Sequence, residues 1–182
     1  MRNIFFHEDD YCQIEILPKE NYNYCIAQCS NIEDFANNHM DADGCGYTDI
    51  YIRNNNQIPL STLNLSKDYL KKCMENILPK FDRVETGYSS YRIEAKNTCA
   101  YGFNENITVF FDYDENDIIQ NIWLTLDIYE KNDITNTEKL LHKLSETLEL
   151  LLVDWGWSEA YLLTETEPIV QYLRRRENIF NS

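Results

Sequence analysis

The chain has 182 residues and a formal net charge of −15, from 31 acidic and 16 basic side chains. A field of that sign repels phosphate backbones and anionic membrane surfaces and speeds encounter with cationic partners, so it argues against nucleic-acid and membrane binding. Hydrophobic content of 43% with 13 Tyr and 8 Phe excludes a disordered acidic chain, and a chain of this length buries roughly 70% of its unfolded surface.

The charge is unevenly laid out. Residues 1–52 carry ten acids and two bases, residues 53–103 five acids and eight bases, and residues 104–182 sixteen acids and six bases. The start, Met1 to Asp10, holds one base and turns acidic before any apolar run, unlike a secretory leader. No apolar stretch approaches the roughly 18 residues of a membrane span. A cytoplasmic protein is expected, with its six cysteines (Cys12, Cys25, Cys29, Cys45, Cys73, Cys99) reduced and mostly serving as small buried hydrophobes.

In chain order, Tyr11–Leu17 alternates polar and apolar up to Pro18 and predicts a half-buried strand. Residues 22–28 are read as its hairpin partner. Ser30-Asn31-Ile32-Glu33 has the form of a capping box and predicts a short helix. A Gly- and Asp-rich loop runs to Gly46, followed by a predicted strand over Thr48–Arg53. Residues 54–57 give a turn signal. Ser66 is the expected N-cap of a helix through Leu78, with Leu70, Cys73, Met74, Ile77 and Leu78 as its apolar stripe.

Strands are then predicted over 83–86, 90–96, 98–103, 107–113 and 118–129, separated by Asn- and Asp-rich turns as in an antiparallel meander. Thr135–Glu138 predicts a capping box opening a long helix to about Asp154, with Leu141, Leu144, Leu148, Leu151 and Trp155 on its buried stripe. Gly156 is its C-cap, a short segment follows over Tyr161–Thr164, and a last helix starts with Pro168 at its first position and runs through Arg176. The expectation is one α+β domain over residues 1–182: an antiparallel or mixed sheet with about four helices packed on it.

Several constellations bear on chemistry. Asp41 to Ile52 overlays loosely on a twelve-residue calcium loop, with Asp41, Asp43 and Asp49 as candidate ligands, but Ile52 stands where the bidentate Glu is required. The reading is a turn that uses Asp and Gly for their backbone tolerance. Asp82 with Glu94-Ala95-Lys96 has the outline of a PD-(D/E)xK nuclease core, in which two carboxylates hold a metal and a Lys sits beside the attacking water. The bland alternative is a cross-strand ion pair. His7 beside Glu8, Asp9 and Asp10 is a candidate metal or acid/base group against the blander reading of a solvated surface run, His39 and His142 lack partners at ligand spacing, and Cys25-x3-Cys29 lacks the second pair of a zinc site. No cofactor is expected.

The remaining signal is acid mixed with aromatics. Asp112, Asp114, Glu115 and Asp117 crowd one turn, and residues 145–168 contain six acids and no base, including Asp154, Trp155, Trp157 and Glu159. Gly87-Tyr88-Ser89-Ser90-Tyr91, Trp123 and Tyr161 add further aromatics. Large aromatics among carboxylates suit an interface for a basic protein: rings anchor, carboxylates steer and specify.

In size, acidity and lack of a catalytic constellation, with Asp112-Tyr113-Asp114-Glu115 and the Glu146–Glu167 stretch as the matching features, the chain resembles the small acidic immunity proteins of bacterial toxin systems. That resemblance implies a non-enzymatic cytosolic binder that neutralises a basic partner, a cognate toxin, and it carries no residue roles. The alternatives are the nuclease built on Asp82, Glu94 and Lys96 and a homo-oligomeric scaffold.

Overall fold

The computed structural model describes residues 1–54, 56–88 and 90–180, with side chains of the last helix to Glu177. Asn55 of the predicted turn and Ser89 of the aromatic run lie outside the described residues. Four α-helices and nine strands among the described residues form two sheets, an α+β fold. In chain order the elements are β1 (Asn3–His7), β2 (Ile14–Pro18), α1 (Tyr22–His39), α2 (Lys67–Met74), β3 (Arg83–Tyr88), β4 (Tyr91–Glu94), β5 (Thr98–Gly102), β6 (Ile107–Tyr113), β7 (Ile119–Leu126), α3 (Lys131–Ser145), β8 (Leu150–Asp154), β9 (Glu159–Leu162) and α4 (Thr166–Phe180).

The larger sheet is antiparallel throughout, in the order β5-β6-β7-β2-β8-β9. The smaller is mixed: β3 lies between β1, which it pairs in parallel, and β4, which it pairs antiparallel. Gly87 sits at φ +140° opposite β4, where an added Cβ would come within 2.1 Å of the Tyr91 carbonyl oxygen, so only glycine fits.

Alternation along the strands divides the large sheet into two differently covered faces. Ile14, Ile16, Val109, Phe111, Ile122, Leu124, Leu150 and Leu152 point to the first, where α2 (Leu70, Met74), α3 (Leu140, Leu141, Leu144) and α4 (Ile169, Tyr172, Leu173) close one continuous core. The second face is covered by two separate pieces. The small sheet packs Ile4, Phe6 and Val84 on Ala100, Phe110 and Trp123. Helix α1 packs Cys25 and Cys29 on Leu17, Leu151, Val153, Trp155 and Ala160.

Several expectations are corrected. Residues 22–28 belong to α1, because Tyr22, Cys25, Cys29 and Ile32 recur at helical spacing and pack on β8 and β9. Ser30 therefore lies inside that helix. Residues 48–53 pair with no described strand; only Met40 and Tyr47 bridge nearby. The long helix ends at Ser145, and Leu150–Asp154 is a strand at the heart of the sheet, all five residues buried. The run Leu150–Val153 is apolar on both alternating positions, the pattern of a strand covered on both faces, and it overrode a stripe at helical spacing. Helix α3 opens earlier, through a capping box between Glu130 and Asp133, and α4 opens at Thr166 with Pro168 still in the first turn, where its missing N–H is harmless.

Strands fall close to the five stretches expected between 83 and 129, but the meander is broken between β4 and β5, which belong to different sheets. The Ser66 cap, whose side chain accepts from the Tyr69 amide at 3.2 Å, and the buried Leu70 and Met74 are as expected, while α2 ends at Met74 instead of Leu78. Among the described residues no helix is long and apolar enough to cross a membrane.

Candidate functional site

The predicted partner residues separate into an inner and an outer set. Asp154 is 1% exposed and binds the Tyr172 hydroxyl at 2.8 Å, the Arg176 guanidinium at 2.5 Å and the Trp157 amide at 3.1 Å. Burial and this carboxylate push the Tyr172 hydroxyl well above its ordinary pKa. Trp155 is buried beneath the Arg53 guanidinium, 4.0 Å from its ring centre. Trp123 is fully buried, stacked on Phe110 at 4.0 Å. These groups brace the fold. Trp157 is half-buried, and Glu159 is held by Arg175 at 2.6 Å and by the Tyr161 hydroxyl at 2.6 Å.

The 112–117 turn is likewise internally engaged. Asp112 accepts from Tyr11 at 2.8 Å and Thr98 at 2.7 Å, tying the entry to β2 to β5 and β6. Asp114 accepts from the amides of Asn116 and Ile118 and shapes the turn. Asp117, at φ +59°, pairs with Lys67 at 3.3 Å. Glu115 is exposed.

The nuclease candidates are engaged separately. Asp82 accepts from the Arg2 amide at 2.6 Å, Glu94 on β4 lies 3.7 Å from Arg83, and Lys96 is exposed beyond the end of β4. In the 41–49 loop Asp41 accepts from the Cys45 amide at 2.9 Å and Asp49 from the Ile50 amide at 2.8 Å, the turn chemistry expected of them. Among the described residues no group of three or more His, Cys, Asp and Glu side chains is placed to hold a metal ion. The cysteines are free thiols; burial pushes Cys25 and Cys29 up to about 12 and about 11, which keeps them protonated and unreactive.

What sequence reading missed is a cleft of about 610 Å³ where the two sheets diverge, between β1 and the turn after it, the end of β7 and the β8–β9 turn. Asp10, Glu105, Asp127 and Asp154 line it, with Trp157 and Arg176. Arg176 is occupied on every side. Its Nε donates to Tyr172 at 2.8 Å, its Nη1 to the Leu126 carbonyl at 2.7 Å and its Nη2 to Asp154, and its guanidinium lies 4.7 Å from the Trp157 ring centre. Asp10, Glu105 and Asp127 thus share a cleft whose one Arg is bound elsewhere. Burial raises the Asp127 carboxyl, Arg176 opposes that, and Asp10 adds to it.

These carboxylates come from four distant stretches of chain, so no local pattern marks them. The Arg174-Arg175-Arg176 run was the one available signal, because a cation late in a helix pairs either with its dipole or with a buried acid. In comparisons with family models, with curated proteins and with solved structures, none matches this chain.

Proposed function

We propose that this chain is a non-enzymatic binding protein that masks a basic protein partner, in the manner of small acidic immunity proteins that neutralise a toxin. The cleft carries the reading: Asp10, Glu105 and Asp127 converge where the one guanidinium is already bound. A Lys or Arg brought in by a partner meets concentrated negative potential in partly desolvated surroundings, where an ion pair at 4 Å contributes about 4 kcal/mol before desolvation is subtracted. The −15 net charge raises the encounter rate with such a partner and lowers it for competing acidic proteins. Exposed Tyr88, Tyr91 and Phe103 on or near the small sheet supply apolar contact area.

The experiment is affinity capture from the host with the intact chain and with Asp10→Asn/Glu105→Gln/Asp127→Asn, followed by co-expression of each with the captured protein. A stoichiometric partner with pI above about 9 is expected, bound at least tenfold more weakly by the triple variant, with its toxicity relieved by the wild-type chain. Absence of a stable basic partner, together with unrelieved toxicity of neighbouring gene products, overturns the reading.

A further inference from the structure

Residues 48–53 read in sequence as a strand; the chain bends at Thr48 and Asp49, and only residues 50–53 keep a strand's alternation of exposed and half-buried side chains, without a strand neighbour. Ile50 and Ile52 are 81% and 84% exposed, while Tyr51 and Arg53 between and beside them turn inward. The inward groups fasten the segment. The Tyr51 hydroxyl donates to Gln28 of α1 at 3.0 Å, and its ring lies 5.4 Å from Phe35. Arg53 reaches Glu15 of β2 at 3.7 Å and covers Trp155, and the Tyr24 hydroxyl donates to the Asn54 carbonyl.

The backbone groups of Tyr51 and Ile52 have no hydrogen-bond partner among the described residues. The Thr48 and Ile50 amides are already bonded, to the His39 carbonyl and to Asp49. It is therefore the stretch 50–53, fastened from within, with the free backbone groups of Tyr51 and Ile52 and two outward β-branched side chains, that offers a template for strand addition. Its surroundings select the occupant. Residues 30–52 hold five acids, Glu33, Asp34, Asp41, Asp43 and Asp49 among them, and no Lys or Arg. A second copy would bring the same five acids against them, and like charges at that range repel. The edge strand β4, by contrast, carries Arg92 with Arg83 on its neighbour β3 and Lys96 just beyond its end, and does not select a cationic occupant.

We propose that residues 50–53 dock an extended segment of a partner in which apolar and basic residues alternate, the apolar ones on Ile50 and Ile52 and the basic ones toward Asp49 and Asp43. The choice of a basic occupant rests on the reading of the chain as a binder of basic proteins.

The test is calorimetric titration of the full chain with the blocked peptide Lys-Val-Lys-Val-Lys-Val-Lys, its Glu-for-Lys counterpart and a backbone N-methylated version. The lysine peptide is expected to bind. Ile50→Ser/Ile52→Ser should weaken it at least tenfold with melting temperature unchanged, since both side chains are solvent-exposed in the free chain. N-methylation should weaken it comparably, because strand addition needs its amides. Lack of binding, equal binding by the double variant, or equal binding of the glutamate peptide overturns the proposal. So does a dimer in light scattering that the double variant dissolves, which makes a second copy the occupant. Equal capture of the basic host partner by wild-type chain and double variant removes the docking segment and leaves the binding function standing; capture of no basic partner removes that function, while the peptide titration still decides the segment.

Discussion

The two faces of the large sheet are built from the same alternating strands and end up as different surfaces. On the first face three helices close over a continuous apolar core, and the one buried carboxylate at its edge, Asp154, binds Tyr172, Arg176 and an amide. On the second face two separate coverings leave a polar seam and an open cleft. Glu15 is buried there beside Arg53, Asp10, Glu105 and Asp127 share one hollow, and Ile50 and Ile52 stand in solvent. Asp10 also accepts from the His7 amide and Glu15 pairs with Arg53, so the difference lies in exposure: the second face leaves carboxylates and apolar side chains open where the first encloses them, which is why the proposed recognition falls there.

Substitutions that follow the contrast should separate stability from binding. The largest effect belongs to the inner ion pair. Arg176→Met leaves the Asp154 carboxylate in the core without its cation and should cost about 3–5 kcal/mol in urea unfolding, since one partner of a buried pair is removed. Leu141→Ala, on the same face and 1% exposed, should cost about 2–5 kcal/mol by the same measurement. Ser66→Ala removes the cap of α2 and should cost about 1 kcal/mol. Neither Leu141→Ala nor Ser66→Ala should change the affinity for a basic partner in variants that remain folded; Arg176→Met also removes a cation from the cleft and is read for stability alone.

The second face should behave in the opposite way. The Asp127 carboxyl is raised above its ordinary value, so the folded state holds this proton more firmly than the unfolded chain. The associated stability is complete below pH of about 3.8 and is lost as pH rises through the raised value. Asp127→Asn should therefore melt with the wild type near pH 3 and above it by neutral pH, with a gain under about 1 kcal/mol. Thermal scans across pH check this; a wild type that gains on the variant as pH rises would break the contrast. The same sign holds for buried Glu15, raised by burial against the pull of Arg53, so the gap between Glu15→Gln and wild type should also widen in the variant's favour with rising pH.

Much of this fold was legible in the sequence where local signals agreed. β6 was bounded correctly because Ile107, Val109, Phe111 and Tyr113 alternate between Asn and Asp turns, and the start of α2 because Ser66 and the apolar stripe point the same way, although the helix stops at Met74, short of Pro79. The failures came where two periods fit one stretch. Leu144, Leu148 and Leu151 satisfy a helix while Leu150–Val153 satisfies a buried strand, and only the neighbouring strands β2 and β9 decide between them. Tyr22–Gln28 has strand-favouring residues, but its pairing with β8 and β9 requires a helix face.

The site was less legible. The acidic turn at 112–117 proved largely self-satisfied, and Trp155 lies inside. Asp10, Glu105 and Asp127 are brought together by the divergence of two sheets, which no spacing in the sequence encodes.

The central claim is that the second face binds and the first does not. It is tested most directly by amide hydrogen exchange on the chain alone and saturated with the basic protein it captures. The account predicts new protection over residues 5–13, 47–54, 104–106 and 125–127, with α2 and α3 exchanging as in the free chain. Protection concentrated over α2 and α3, or no change at the cleft and the 47–54 segment, would contradict it.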